Sequence, residues 1–259
     1  MAKTAGVLFL VLLCASPPCS VSGETVQEAG NEIVIWAWER AENLLFLKDG
    51  EARVAFYAGI IAYEDSKTFF TPRRQPLVIS SEVPLTALFR IENRQDLPPA
   101  GRQAEDSVRI IAGTCENKEF AGVQIDFDAR SSERGFYRNF IRGLRRELPP
   151  STALSITALA SWSHSGSWIE SLPLDEAVPM LFRMGADGAV VRKGLAGESF
   201  MQASLCRKSA GVSLDEPLPH AQYLQNRKIY IFNPVPWTGE DFEKALIRIE
   251  SHIKGEDLP

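Results

Sequence analysis

Histidine and cysteine are scarce in this chain: three histidines and four cysteines among 259 residues. His164, His220 and His252 are too scattered for the H-x-x-x-H spacing of a zinc site, and no C-x-x-C occurs. Positive charge is in deficit as well. Lys+Arg total 28 against 33 Asp+Glu, a formal net charge of -5, the wrong sign for a protein that grips a nucleic-acid backbone. No apolar run is long enough to span a bilayer as a helix. Gly-rich phosphate turns, a P-loop and G-x-S-x-G are all missing. These absences exclude a zinc enzyme, a nucleic-acid binder, a polytopic membrane protein and the common nucleotide-binding folds. What is present is ordinary for a globular chain: 45% hydrophobic and 24% charged residues, enough to rule out disorder.

One apolar run is placed by its flanks. Lys3 precedes Gly6–Ala15 (GVLFLVLLCA), and a Pro-Pro break with small residues follows in Ser16–Gly23. That is the layout of a secretory signal peptide, with cleavage expected near Ser22 or Gly23. Residues 1–23 are therefore read as a signal and 24–259 as the folded part, exported to the periplasm or the medium. Leu13 before Cys14 and Pro18 before Cys19 make poor lipoboxes, so a lipid-anchored form is weakly supported. Cys115 and Cys206 fall in predicted helices far apart in the chain and are expected to be buried free thiols.

From Glu24 onward, short apolar strands alternate with helical stretches. Strands are predicted at Ile33–Trp38, Arg53–Ala62, Leu85–Ile91 and Gly122–Phe127, then at Ala153–Ala160, Ala177–Phe182, Ala210–Leu214 and Lys228–Phe232. The clearest helix, Ser132–Leu148, spaces Phe136, Phe140, Ile141 and Leu144 on one face and ends at Pro149-Pro150. Another, Gly239–Ile253, follows a Thr238/Asp241 capping pattern. Glu105–Cys115 and Ser199–Arg207 are shorter candidates. Weaker helices are expected after the first, second and fifth strands, an irregular excursion over Asp65–Ser81, and a long loop over Gly185–Gly197. Strands alternating with helices imply parallel pairing through right-handed crossovers. Eight units in about 235 residues match a single-domain (β/α)8 TIM barrel.

In that fold, chemistry sits at the C-terminal ends of the strands. Those ends carry Trp36, Trp38 and Glu39; Arg90 and Glu92; Asp126 and Asp128; Trp162 and His164; Arg183; Asp215 and Glu216; Asn233 and Trp237. Carboxylates work as acid and base at a glycosidic bond, and flat aromatic faces stack on sugar rings. The mouth thus reads as a polysaccharide site. On the fourth strand, Gln124, Asp126 and Asp128 share the face opposite Val123, Ile125 and Phe127, which turns three polar groups inward about 7 Å apart. Two acids that close resist double ionisation, so one carboxyl should be raised, unless Arg90 pairs with one of them. Each residue also has a plainer reading: the acids as helix caps, Arg90–Glu92 as a structural ion pair, the tryptophans as core.

Several motifs are familiar. WAWERAENLLFL (Trp36–Leu47), GVQIDFDARSSERGFY (Gly122–Tyr137), SITALASW (Ser155–Trp162), DEAVPMLFRMG (Asp175–Gly185) and SLDEP (Ser213–Pro217) resemble the bacterial domain-of-unknown-function family numbered 3142. The resemblance implies an exported bacterial barrel and supplies no activity. More distantly, AGVQIDFD (Ala121–Asp128) resembles the D-G-x-D-x-D-x-E strand of family 18 chitinases. Gly122 and Asp126 match, Ala121 and Gln124 replace the first two acids, and Asp128 stands at the glutamate proton donor. The resemblance implies that Asp126 orients a substrate acetamido group. VPMLFRM is similar to that family's Met-x-Tyr strand, with Phe182 lacking the hydroxyl.

The leading reading is a glycoside hydrolase-like barrel that acts on or binds a polysaccharide. Asp128 is its acid/base and Asp126 its orienting carboxylate. Arg90, Glu92, Arg183, Asp215 and Glu216 bind hydroxyls, with Gln124 and Asn233 as further polar contacts, and the tryptophans stack sugars. Two alternatives stay open: a non-catalytic glycan- or envelope-partner-binding barrel, and a Mg²⁺ or Ca²⁺ hydrolase built from Glu92, Asp126, Asp128 and Asp215. No cofactor is expected, and a monomer is the expected state.

Overall fold

The structure, a computed structural model, describes residues 31–164, 168–185, 188–195 and 203–256. The signal-peptide reading of residues 1–23, with Cys14 and Cys19, lies outside them, as does the side chain of His164.

The described residues form eleven strands and six α-helices, in chain order. The strands are β1 (Ile33–Ala37), β2 (Glu42–Asn43), β3 (Arg53–Glu64), β4 (Lys67–Pro72), β5 (Leu77–Val78), β6 (Leu85–Asn93), β7 (Gly122–Asp126), β8 (Ala153–Leu159), β9 (Glu176–Met180), β10 (Ser209–Ser213) and β11 (Lys228–Phe232). The helices are α1 (Gly101–Cys115), α2 (Arg134–Glu147), α3 (Ala160–His164), α4 (Gly188–Leu195), α5 (Ala221–Leu224) and α6 (Gly239–Lys254). Eight of the strands run parallel in the order β1-β11-β10-β9-β8-β7-β6-β3, and β1 pairing with β3 closes the ring. This is the expected (β/α)8 barrel, and every predicted barrel strand is present with its ends within two residues.

The barrel holds two apolar layers. Outward side chains of the strands, such as Val123 and Ile125 on β7, pack with Phe136, Tyr137, Phe140, Ile141 and Leu144 of α2. Inward ones, among them Val34, Trp36, Tyr57, Leu88, Val178, Tyr230 and Phe232, fill the barrel itself. Trp36 is the largest plug. Its indole lies so close to Gly211 on β10 that a Cβ there would stand 2.9 Å from Trp36 Cη2. At the opposite end from the mouth, buried Glu176 accepts from Tyr230 Oη (2.6 Å) and Lys228 Nζ (3.2 Å). Nothing in the sequence pattern marks that interior acid.

The crossovers depart from expectation at the start of the chain. No helix follows β1 or β3. Instead β2 pairs with β5, and β3 folds back on β4. Three prolines (Pro72, Pro76 and Pro84) and the β-prone run Lys67–Pro72 account for the lack of helix in the second crossover. Asp65 (φ 48°) and Ser66 (φ 62°) form a two-residue connection with both φ values positive, the I′ geometry that matches strand twist. Gly59 is obligatory in this hairpin, because a Cβ would meet the Phe70 ring at 2.6 Å and the Thr71 carbonyl at 2.7 Å. A bulge between Tyr57 and Gly59 shifts the β3–β6 register at this point. In the first crossover, tertiary demand overrides helix propensity: Glu42, 2% exposed, accepts from Arg40 Nε (2.7 Å) and the Trp237 backbone N–H (2.8 Å).

Elsewhere the corrections are smaller. The long loop expected over Gly185–Gly197 contains α4, and the helix expected over Ser199–Arg207 is a 3-10 turn, Ser204–Arg207, among its described residues. Thr238 caps α6 by accepting from Asp241 N (3.1 Å), and Gly255 (φ 72°) ends it in the left-handed region. Cys206 is buried and Cys115 is half-buried rather than fully buried; both are free thiols. Among the described residues, no helix is long and apolar enough to cross a membrane.

Candidate active site at the barrel mouth

The alternation on β7 does what the sequence predicts. Gln124 and Asp126 turn into the barrel and are buried, while Val123 and Ile125 meet the helices. Gln124 accepts from Trp36 Nε1 (2.8 Å) and donates to Ser155 Oγ (3.2 Å), so it braces the barrel interior below the mouth. Asp126 lies above it and accepts on both oxygens, from Thr157 Oγ1 (2.7 Å) and Arg90 Nη1 (2.6 Å). Beyond the end of β7, Asp128 reaches the cleft with its side chain 46% exposed.

Arg90 is the hub of these acids. Besides Asp126, its guanidinium lies 3.5 Å from Asp128 Oδ2 and 3.7 Å from Glu92 Oε1, and Glu92 is held from its other side by Arg94 at 2.8 Å. The carboxyl of Asp128 is raised above the ordinary aspartate range by partial burial, then by the neighbouring Asp126 charge; Arg90 opposes both without cancelling them. One raised and one cation-bound carboxylate is the division expected of two close acids.

The cleft over these groups has a volume of about 540 Å³. Arg90, Asp126 and Asp128 line it. Trp38, Phe182, Arg183 and Phe232 line it as well, together with Leu159, Met180 and Met184. Phe182 and Phe232 stack in parallel, with centroids 5.6 Å apart and planes 5° from each other. Arg183, an arginine at φ 50°, lays its guanidinium 4.8 Å from the Phe232 centroid. Its backbone N–H donates to Glu216 Oε1 (2.9 Å), and its Nη2 lies 3.8 Å from Asp215 Oδ2. A bond from the Ser213 hydroxyl holds the Asp215 carboxyl below the usual range, with Arg183 assisting. A larger hollow of about 1290 Å³ lies outside the barrel against α1 and α2 and shares no residue with the mouth.

Several predicted contact residues are placed elsewhere. Trp36 is 2% exposed inside the barrel and packs against Tyr230 and Phe182. Trp162, 4% exposed, faces Tyr137 and Trp168 in the helix layer. Trp237 is buried against Phe242 and donates from Nε1 to the Trp36 carbonyl (3.0 Å). Of the four predicted stacking tryptophans, Trp38 alone lines the cleft; apolar rings of this size are core first wherever a core can take them. Asn233 is buried and ties the loop after β11 to Arg40 Nη2 through its carbonyl (2.6 Å). Glu39 is exposed, and its carboxylate accepts from the backbone N–H groups of Arg74 and Gln75 (2.9 and 3.1 Å). The acids of the metal-hydrolase alternative are not gathered: among the described residues, no three His, Cys, Asp or Glu stand where they could share an ion.

The sequence reading missed Thr157, Met180, Met184 and Phe232 as mouth residues. Thr157 carried a usable signal, since it lies in the inward phase of SITALASW two residues from Ser155. The others read as ordinary strand hydrophobics.

Comparison with known proteins agrees with this architecture. A family profile described as a domain of unknown function, DUF3142, matches residues 78–180, which takes in β6, α1, β7, α2, β8 and β9. A family GH18 chitinase from Chromobacterium violaceum has a similar structure, with a TM-score of 0.52 over 78% of each chain at 12% sequence identity. That likeness is one of fold. No curated protein sequence matches the chain significantly.

Proposed function

We propose that the mouth cleft of this glycoside hydrolase-like barrel binds a carbohydrate and that Asp128 acts there as acid/base toward a glycosidic bond. The observation that supports this most directly is the Asp128 carboxyl: open to the cleft, raised by burial and by Asp126, and so able to hold a proton nearer neutrality than a free aspartate. Asp126 then stabilises positive charge in the transition state while anchored by Thr157 and Arg90. Because both Asp126 oxygens already accept hydrogen bonds, orienting an acetamido group would require it to give one up. The test is a panel of defined glycans. Hydrolysis by wild type, reduced about 10²–10⁴-fold in Asp128→Asn with binding retained, is the expected result. No hydrolysis of any bound glycan defeats the catalytic role.

A second reading, a binding barrel without turnover, is favoured by one observation: Arg90 spans both acids, within 2.6 Å of Asp126 and 3.5 Å of Asp128. A guanidinium in that position stabilises both carboxylates and works against Asp128 holding the proton that it would have to donate. Binding without turnover that survives Asp128→Asn selects this reading. Export belongs to the same proposal and rests on residues 6–23. N-terminal sequencing of the protein from its native compartment, expected to begin near Glu24, tests it.

A further inference from the structure

We infer that the ligand of the mouth cleft is a glycoside carrying an apolar substituent, an alkyl or acyl group attached next to the sugar that faces Asp128. The inference rests on the carbohydrate reading above and narrows it. Its basis is the make-up of the cleft lining, which is charged or apolar with little in between. The charged members are Arg90, Asp126 and Asp128, held together by the contacts already described, with Arg40 and with Arg183 over the Phe232 ring. The apolar surface is built from Leu159, Met180, Phe182 and Met184, with Trp38 and Phe232.

Leu159, Met180, Phe182, Met184 and Trp38 are only partly buried: Leu159, Phe182, Met184 and Trp38 pack against the core, and the surface they leave open lines the cleft. Among the described lining residues, Ser161 is the one neutral hydroxyl or amide side chain. A cleft shaped for a bare sugar chain needs many such groups, because each ring presents several hydroxyls that lose water on binding. Here a pyranose can satisfy its hydroxyls only at the charged groups and Ser161. A chain of hydroxyl-bearing rings continued over the methionines would leave them unpaired, whereas an alkyl or acyl group there removes apolar surface from water on both partners. Two methionines suit an occupant of variable shape, since the unbranched thioether adapts its rotamers to what it covers. A volume of about 540 Å³ accommodates one sugar ring with a short chain.

The test is calorimetric titration of the full chain with paired methyl and hexyl glycosides of glucose, galactose, mannose and N-acetylglucosamine, with hexyl tetraethylene glycol as a sugar-free control. The hexyl member of at least one pair should bind at least about tenfold more tightly than its methyl partner. Met184→Ser should shrink that ratio; the wild-type ratio decides alone if the variant does not fold. Equal affinities within every pair that binds overturn the inference and leave the carbohydrate reading standing. Binding of the control as tight as that of the hexyl glycosides overturns both, and so does a panel in which no glycoside binds.

Discussion

Arg90 and Asp126 face each other across β6 and β7 in direct register, and the guanidinium lies 2.6 Å from a carboxylate that is 2% exposed. The pair is asymmetric. Arg90 keeps about a third of its side chain in solvent and has Asp128 and Glu92 as further partners, whereas Asp126 has Thr157 alone besides Arg90 among the described residues. Removing the cation should therefore cost more than removing the anion.

Arg90→Ala leaves a buried carboxylate with one hydroxyl donor, and a destabilisation of about 2–3 kcal/mol is expected, below the value for a fully buried pair because Arg90 is partly solvated. Arg90→Lys should restore only part of it, since an ammonium lacks the fork that reaches Asp126 and Asp128 together. Urea denaturation of both variants against Asp126→Asn, which should lose less, checks the order.

The raised carboxyl of Asp128 has a consequence for stability with a definite sign. Its folded-state value lies above the unfolded one, so the folded state binds the proton more tightly and ionisation works against folding. The cost is absent in acid and grows as pH rises through the folded value. Asp128→Asn is uncharged throughout. Its melting temperature should match wild type near about pH 3 and exceed it near about pH 7. The reverse order at neutral pH would mean that the Arg90 contact outweighs burial.

Gly211 and Trp36 make a third point of leverage. Gly211→Ala drives a methyl to within 2.9 Å of the indole and 3.2 Å of the Pro179 carbonyl, with no flexible chain end to yield. Overpacking of about 1–3 kcal/mol is expected. A changed near-ultraviolet circular dichroism signal should accompany it, because Trp36 would have to tilt away from its 2.8 Å bond to Gln124.

Burial pushes the Cys206 thiol up to about 12 and that of Cys115 up to about 11. Both therefore stay protonated at neutral pH, and thiolate chemistry is suppressed. Iodoacetamide followed by peptide mapping should find Cys206 unmodified in the native protein and modified after denaturation. Fast native labelling of Cys206 would show that its site opens.

How legible the fold was depended on which force sets each element. Barrel strands are buried on both faces, so runs such as Lys228–Phe232 stand out as short apolar segments, and the observed ends fall within two residues of the predicted ones. The β3–β4 hairpin was hidden because Asp65–Ser66 adopts positive φ without a glycine. At the mouth, the inward phase of Gln124, Asp126 and Asp128 was readable from alternation, and Arg90 from its neighbouring strand. Which tryptophan would face solvent was not readable, because burial of Trp36, Trp162 and Trp237 is decided by contacts more than a hundred residues away or by the helix layer. Met180 and Phe232 were missed for the converse reason: they look like core and lie where the core opens.

The wall of the cleft that carries Trp38 is fastened by backbone rather than by side-chain packing alone. Arg73, from the excursion that replaces a helix, donates to the carbonyls of Ala37 (3.2 Å), Trp38 (2.6 Å) and Arg40 (2.5 Å), while Glu39 reaches back to the N–H groups of Arg74 and Gln75. The two segments clasp each other in both directions. The freedom of Trp38 is thus surrendered when the chain folds, so a ligand resting on that ring loses little affinity to ordering it. In the proposed scheme, discrimination among ligands at this wall comes from fit to a fixed surface, which Arg73 fastens without touching the ligand.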